Sequence, residues 1–136
     1  MSKNRNLSGG LFAAKPTPLT IKETSLSAQI AEWLDARGIY NDRLQCGSFT
    51  TSRGNWIKLC KAGTPDRFCI IRGQIVFIEV KKLKQKPSAE QTARHIELQD
   101  AGAIVLICDS FEMFIASIAA IRAAIETREK ERELYD

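Results

Sequence analysis

A single histidine, His95, and four cysteines leave this 136-residue chain little material for an imidazole or thiolate metal site. Cys46, Cys60, Cys69 and Cys108 lack the paired CxxC spacing of structural zinc. A reducing compartment keeps such thiols free, and Cys69 and Cys108 fall in apolar, strand-like runs where a buried thiol is the expected state. No apolar run approaches the ~18 residues that read as a membrane span. The N-terminus also lacks the apolar segment and small-residue cleavage site of a secretory signal. A cytoplasmic protein with no membrane partner is therefore expected. The length fits one domain, and no repeat interrupts it.

Acidic residues are scarce in one stretch above all. Between Arg43 and Ala89 ten Lys or Arg face only two acids, Asp66 and Glu79, although the whole chain carries only +4. A basic stretch is usually a solvated face, but this asymmetry suits a polyanion, and nucleic acid is the obvious one. Arg43, Arg53, Lys58, Lys61, Lys82, Lys84 and Lys86 are the candidate DNA-contacting side chains. The two acids among them need a separate explanation.

What is present reads as an α/β chain. Residues 1–20 are polar, mildly basic and broken by glycine and proline, which predicts a flexible N-terminal arm. From Glu23 to Arg37 the spacing of Leu26, Ile30, Trp33 and Leu34 predicts a helix that stops at Gly38. Residues 43–50 are expected to hold a first strand, and 51–63 a loop or short strand pair. The runs 67–72 and 75–80 read as an antiparallel hairpin turning at Gly73-Gln74. Ser88 as N-cap with Gln91 three residues on predicts a second helix closed by Gly102. A buried strand at 103–108 follows. A last helix begins at Ser110 and carries the stripe Phe111, Phe114, Ile115, Ile118 and Ile125, with residues 126–136 its charged, solvated end. The crossover into the last strand favours parallel pairing, so a mixed sheet flanked by helices is expected, with the folded domain over 21–125.

Strand periodicity then makes a chemical statement. Glu79 and Lys81 share a face while Val80 points the other way, and the hairpin returns Glu79 near Asp66. An isolated Glu-x-Lys is most often a solvated pair at a strand end. Two carboxylates beside each other at the end of an apolar strand repel, however, and are costly to bury unless paired or metal-bound. Hard oxygen ligands without His or Cys select Mg²⁺ or Mn²⁺, and the Val80 carbonyl is a further donor. Lys81 would act on the attacking water or on phosphate oxygens. Glu23 lies on the apolar stripe at the start of the first helix; it either reaches this site or is a first-turn acid favoured by the helix dipole. Gln91 is ambiguous in the same way, since the capping box explains it without any substrate.

Together, Glu23 ten residues before Trp33-Leu34, Gly63-Thr64-Pro65-Asp66, Ile78-Glu79-Val80-Lys81-Lys82 and Ser88-Ala89-Glu90-Gln91 resemble the VRR-NUC family of the PD-(D/E)XK nucleases. The similarity spans roughly residues 23 to 115 and rests on four motifs in order. It implies a restriction-endonuclease-like core, a central mixed β-sheet flanked by helices. It also implies that Asp66, Glu79 and the Val80 carbonyl hold Mg²⁺ or Mn²⁺, that Lys81 acts on the water, that Glu23 supports the metal shell and that Gln91 assists near Lys81. Arg43-Leu44-Gln45-Cys46-Gly47 keeps the Arg and Gly, but not the Asn, of a stretch common in the family. Stand-alone members resemble homodimeric Holliday-junction resolvases, which implies branched DNA as the partner and the last helix or the apolar faces of the first as a dimer interface. The alternatives are a flap or restriction-like nuclease and a non-catalytic DNA-binding module that keeps the fold.

Overall fold

A computed structural model describes residues 23–136, so the arm expected over 1–20 lies outside the described residues. The elements run α1 (Glu23–Ala36), β1 (Asn41–Arg43), β2 (Ser48–Thr50), β3 (Trp56–Lys58), β4 (Arg67–Ile71), β5 (Gln74–Val80), α2 (Ala89–Asp100), β6 (Ile104–Cys108) and α3 (Phe111–Tyr135). Four strands form a mixed sheet in the order β1-β4-β5-β6, and β2 and β3 form a separate two-stranded ribbon. β1, β4 and β5 pair antiparallel; β5 and β6 pair parallel across the α2 crossover. Among the described residues no helix is long and apolar enough to cross a membrane.

The alternation of β4 and β5 sorts their residues between two layers. Cys69, Ile71, Val76, Ile78 and Val80 turn to one face and meet Leu26, Ile30 and Leu34 of α1 and Phe114, Ile118 and Ile125 of α3, all buried. Phe114 is fully buried with its ring edge-on to Trp33. Burying such side chains contributes about 1.5–3 kcal/mol each, so this face supplies most of the folding drive. α2 covers part of the opposite face, where Phe77 and Leu98 line one cavity.

Three expectations shift at strand ends. The hairpin turns at Arg72-Gly73, not Gly73-Gln74, because φ is +49° and +82° at these two positions, as a two-residue primed turn requires. The first strand is Asn41–Arg43, earlier and shorter than expected over 43–50. Three polar residues show no periodicity, and it is their pairing with Arg67–Cys69 that makes them a strand. Ser48–Thr50 instead pairs with Trp56–Lys58 as the short strand pair. The other elements follow the pattern. Ser88 caps α2 with the reciprocal Gln91 bond, and Ser110 accepts the Met113 N–H at the start of α3. α3 continues unbroken through the charged segment to Tyr135. All four cysteines are free, with Cys69 and Cys108 buried.

Candidate active site

The site is built from strand register. Arg67 pairs with Ile78, so one step further along the ladder Asp66 stands opposite Glu79. The neighbouring ladder also extends this far, since Leu44 donates its N–H to the Asp66 carbonyl at 2.7 Å. By alternation Asp66 and Glu79 project to the face that carries α2, as Lys81 does two residues later, whereas Val80 is buried in the main core. Glu79 is 2% exposed and Asp66 is exposed, so the pair runs from the interior of the sheet to its surface. Both carboxylates lie near the Cys46 thiol. Burial, a hydrogen bond with Cys60 and the charges of Cys60, Asp66 and Glu79 push that thiol up to about 12.

Each acidic or basic group is referenced to α2. Lys81 Nζ donates to Gln91 Oε1 at 2.7 Å, and the same oxygen accepts the Ser88 N–H at 3.0 Å. One turn on, His95 Nε2 lies 3.5 Å from Glu79 Oε1. The spacing is commensurate: four residues of helix advance ~6 Å and two residues of strand ~6.6 Å, so Gln91 and His95 match Lys81 and Glu79. The loop before Asp66 is docked on the same helix. Arg94 Nε donates to the Ala62 carbonyl at 3.0 Å, and Gly63, with φ of +80°, sits so close that an added Cβ would lie 2.5 Å from the Glu90 carbonyl oxygen. Only glycine fits both demands.

His95 is the residue that sequence reasoning missed. It is 5% exposed, and burial first, then the Lys81 ammonium, lowers its imidazole below the ordinary value. Both effects oppose protonation of the ring beside Glu79. The signal for it was available, because a residue four positions after Gln91 shares its helix face. Glu23 begins α1, but its side chain lies outside the described residues. All seven candidate DNA-contacting residues, Arg43, Arg53, Lys58, Lys61, Lys82, Lys84 and Lys86, are exposed. Two other members of the basic stretch do not add to that surface. Arg67 is buried and bonds Asn41 Oδ1 at 2.9 Å, and Arg72 pairs with Glu126 and Glu129 on α3.

The donor set is compatible with a hard divalent cation. Lys81 N–H bonds to the Cys108 carbonyl at 2.9 Å on β6; in a trans peptide the Val80 carbonyl therefore points the other way, toward the β4 side where Asp66 stands. Two carboxylates and one carbonyl are all oxygen donors, the choice of Mg²⁺ or Mn²⁺ rather than zinc. Among the described residues, which leave out the Glu23 side chain, no three His, Cys, Asp or Glu side chains gather as a metal cluster.

No family model and no curated protein matches the chain. Among solved structures, one described as "VRR_NUC domain" superposes with a TM-score of 0.55 and 26% sequence identity, covering 71% of this chain and 94% of that one. A central mixed sheet flanked by helices, superposing on that domain, defines a restriction-endonuclease-like fold. Within that class the chain is similar in fold and sequence to a VRR-NUC domain.

Proposed function

We propose that the chain is a metal-dependent, structure-specific DNA endonuclease of the cytoplasm, with Asp66, Glu79 and Lys81 as its catalytic centre. The observation that carries this reading is the continued register that sets Asp66 opposite Glu79, with Lys81 on the same face. Asp66, Glu79 and the Val80 carbonyl would hold Mg²⁺ or Mn²⁺, with Glu23 supporting that shell. The cation, when bound, supplies a Lewis acid that activates water and offsets charge on the scissile phosphate.

The chain's own groups do the rest. Gln91 holds the Lys81 ammonium, which keeps a donor for the attacking water or a non-bridging phosphate oxygen. His95 stands against Glu79 inside the fold and restricts the positions open to that carboxylate. The exposed Arg43, Arg53, Lys58, Lys61, Lys82, Lys84 and Lys86 engage phosphates around the scissile bond. The favoured substrate is a four-way Holliday junction cut by a homodimer, whose two-fold symmetry would present two sites to opposed strands.

The test is digestion of four-way, flap and linear duplex DNA with Mg²⁺ or Mn²⁺, beside a light-scattering mass. Cleavage that needs the metal is expected, strongest on the four-way substrate. Asp66→Ala or Lys81→Ala should lower it at least ~100-fold while leaving DNA retention and the melting curve intact. Undiminished cutting by either variant removes the catalytic assignment, and retention without products at any metal concentration leaves only a DNA-binding module.

A further inference from the structure

The β2–β3 ribbon stands apart from the main sheet and keeps its apolar side chains in solvent. All six of its strand residues are exposed, with Trp56 at 67%, Phe49 at 49% and Ile57 at 38%. Large aromatic groups left in water usually mark a binding surface. We infer that this hairpin engages nucleic acid beside the candidate active site, with Trp56 stacking on an unpaired base. The inference rests on the nuclease reading and deepens it by naming the feature of the substrate that the ribbon selects.

Charge identifies the occupant. Residues 47–61 contain Arg53, Lys58 and Lys61 and no Asp or Glu; Lys61 reaches Glu97 of α2 at 3.8 Å, so Arg53 and Lys58 carry the excess charge of the ribbon itself. Two copies meeting through this ribbon would bring those cations together with no acid of their own segment between them, whereas a phosphodiester chain neutralises them. Thr50 pairs with Trp56 and Ser48 with Lys58, so the indole and the Lys58 ammonium lie on one side of the ribbon. An aromatic ring followed by a cation along an edge suits a base and its adjoining phosphate. Paired bases in a duplex are already stacked on both faces. A stacking side chain therefore finds its partner where a base is unpaired, in a single strand such as a flap or at a branch point whose pairs have opened.

Position supports the same occupant. Leu59 donates to the Gly47 carbonyl at 2.8 Å and the Cys60 thiol to the Gln45 carbonyl at 3.3 Å, extending the ribbon downward. At its foot the Cys46 thiol feels both Asp66 and Glu79. Trp56 is four residues from Cys60, about 13 Å of extended strand. A nucleotide stacked on Trp56 would thus lie a few nucleotides from a phosphate at the carboxylates.

The experiment measures binding in EDTA, so that cleavage plays no part, to a flap DNA with an unpaired strand and to a fully paired duplex of equal length. Trp56→Ala is expected to weaken flap binding about tenfold or more and change duplex binding far less, while Trp56→Phe retains most of the affinity. Flap DNA should quench the tryptophan fluorescence of the wild-type protein but not of Trp56→Phe, which keeps the core residue Trp33. Circular dichroism verifies that the variants fold. Equal affinities for wild type and Trp56→Ala, or an equal loss on both DNAs, would overturn the proposal. So would a fall in mass from dimer to monomer in Trp56→Ala without loss of the quench, which would make the ribbon a self-contact. If no substrate is cut at any metal concentration yet the Trp56 effects appear, the nuclease reading fails and the ribbon assignment stands; intact cleavage with no Trp56 effect is the reverse.

Discussion

The His95 imidazole is enclosed against the Glu79 carboxylate, where burial first and then the Lys81 ammonium lower its affinity for a proton. A ring against Glu79 restricts the positions open to that carboxylate, as the proposed role in holding a cation requires. His95→Phe keeps the volume and removes the nitrogen. It is expected to weaken Mn²⁺ binding by ~10–100-fold in a calorimetric titration, with melting little changed and His95→Asn or His95→Gln retaining part of the affinity. An affinity equal to wild type would show that the contact is packing alone. The buried thiols make a separate statement about pH. Burial raises Cys69 to about 11; burial and then the charges of Asp109 and Glu79 raise Cys108 to about 12, from an ordinary thiol value of 9.0. The folded state holds these protons more tightly than the unfolded chain. Their contribution to stability is complete below pH 9 and is lost as pH rises through about 11 to 12. Urea midpoints measured across that window should fall more steeply for wild type than for a Cys69→Val, Cys108→Val protein, and equal slopes would contradict this.

At the scale of elements, the loop of residues 61–65 depends on α2. Thr64 bonds back to the Lys61 carbonyl, and Gly63 brings the turn against the helix backbone. Gly63→Ala meets both a left-handed φ and the Glu90 carbonyl. A destabilisation of about 1–3 kcal/mol in denaturant unfolding is expected from the backbone term alone, with cleavage falling further as Asp66 shifts. Wild-type stability in this variant would mean that the loop accommodates by moving away from α2. Elements that bury a periodic stripe were readable in sequence. α1 and α3 show helical spacing, and α2 is fixed by its capping box before any packing is considered. β1, β2 and β3 were hard to place because three exposed residues have no alternation for a pattern to reveal. Pairing partners distant in the chain define such strands. The shift of the turn to Arg72-Gly73 has a similar origin, since sequence alone favours glycine but does not say which neighbour shares its positive φ.

At the scale of the whole molecule, the sheet divides labour between its faces. One is sealed by α1 and α3 and supplies the core; the other carries the polar chemistry under α2. That Asp66, Glu79 and Lys81 share the second face was legible because a strand's period of two is rigid and the hairpin is short. His95 was not, since its role exists only through the packing of helix on strand. The local excess of positive charge was legible as a sum but not as a surface, because Arg67 turns inward to Asn41 and Arg72 is paired with α3. The helix Ala89–Asp100 serves as a ruler. Gln91 sights along Lys81, His95 along Glu79, and Arg94 with the Glu90 backbone along the approach to Asp66. With one shared datum, a tilt of twelve residues would misalign all three candidate catalytic groups in concert, so that damage to this helix should register as a single fault rather than three.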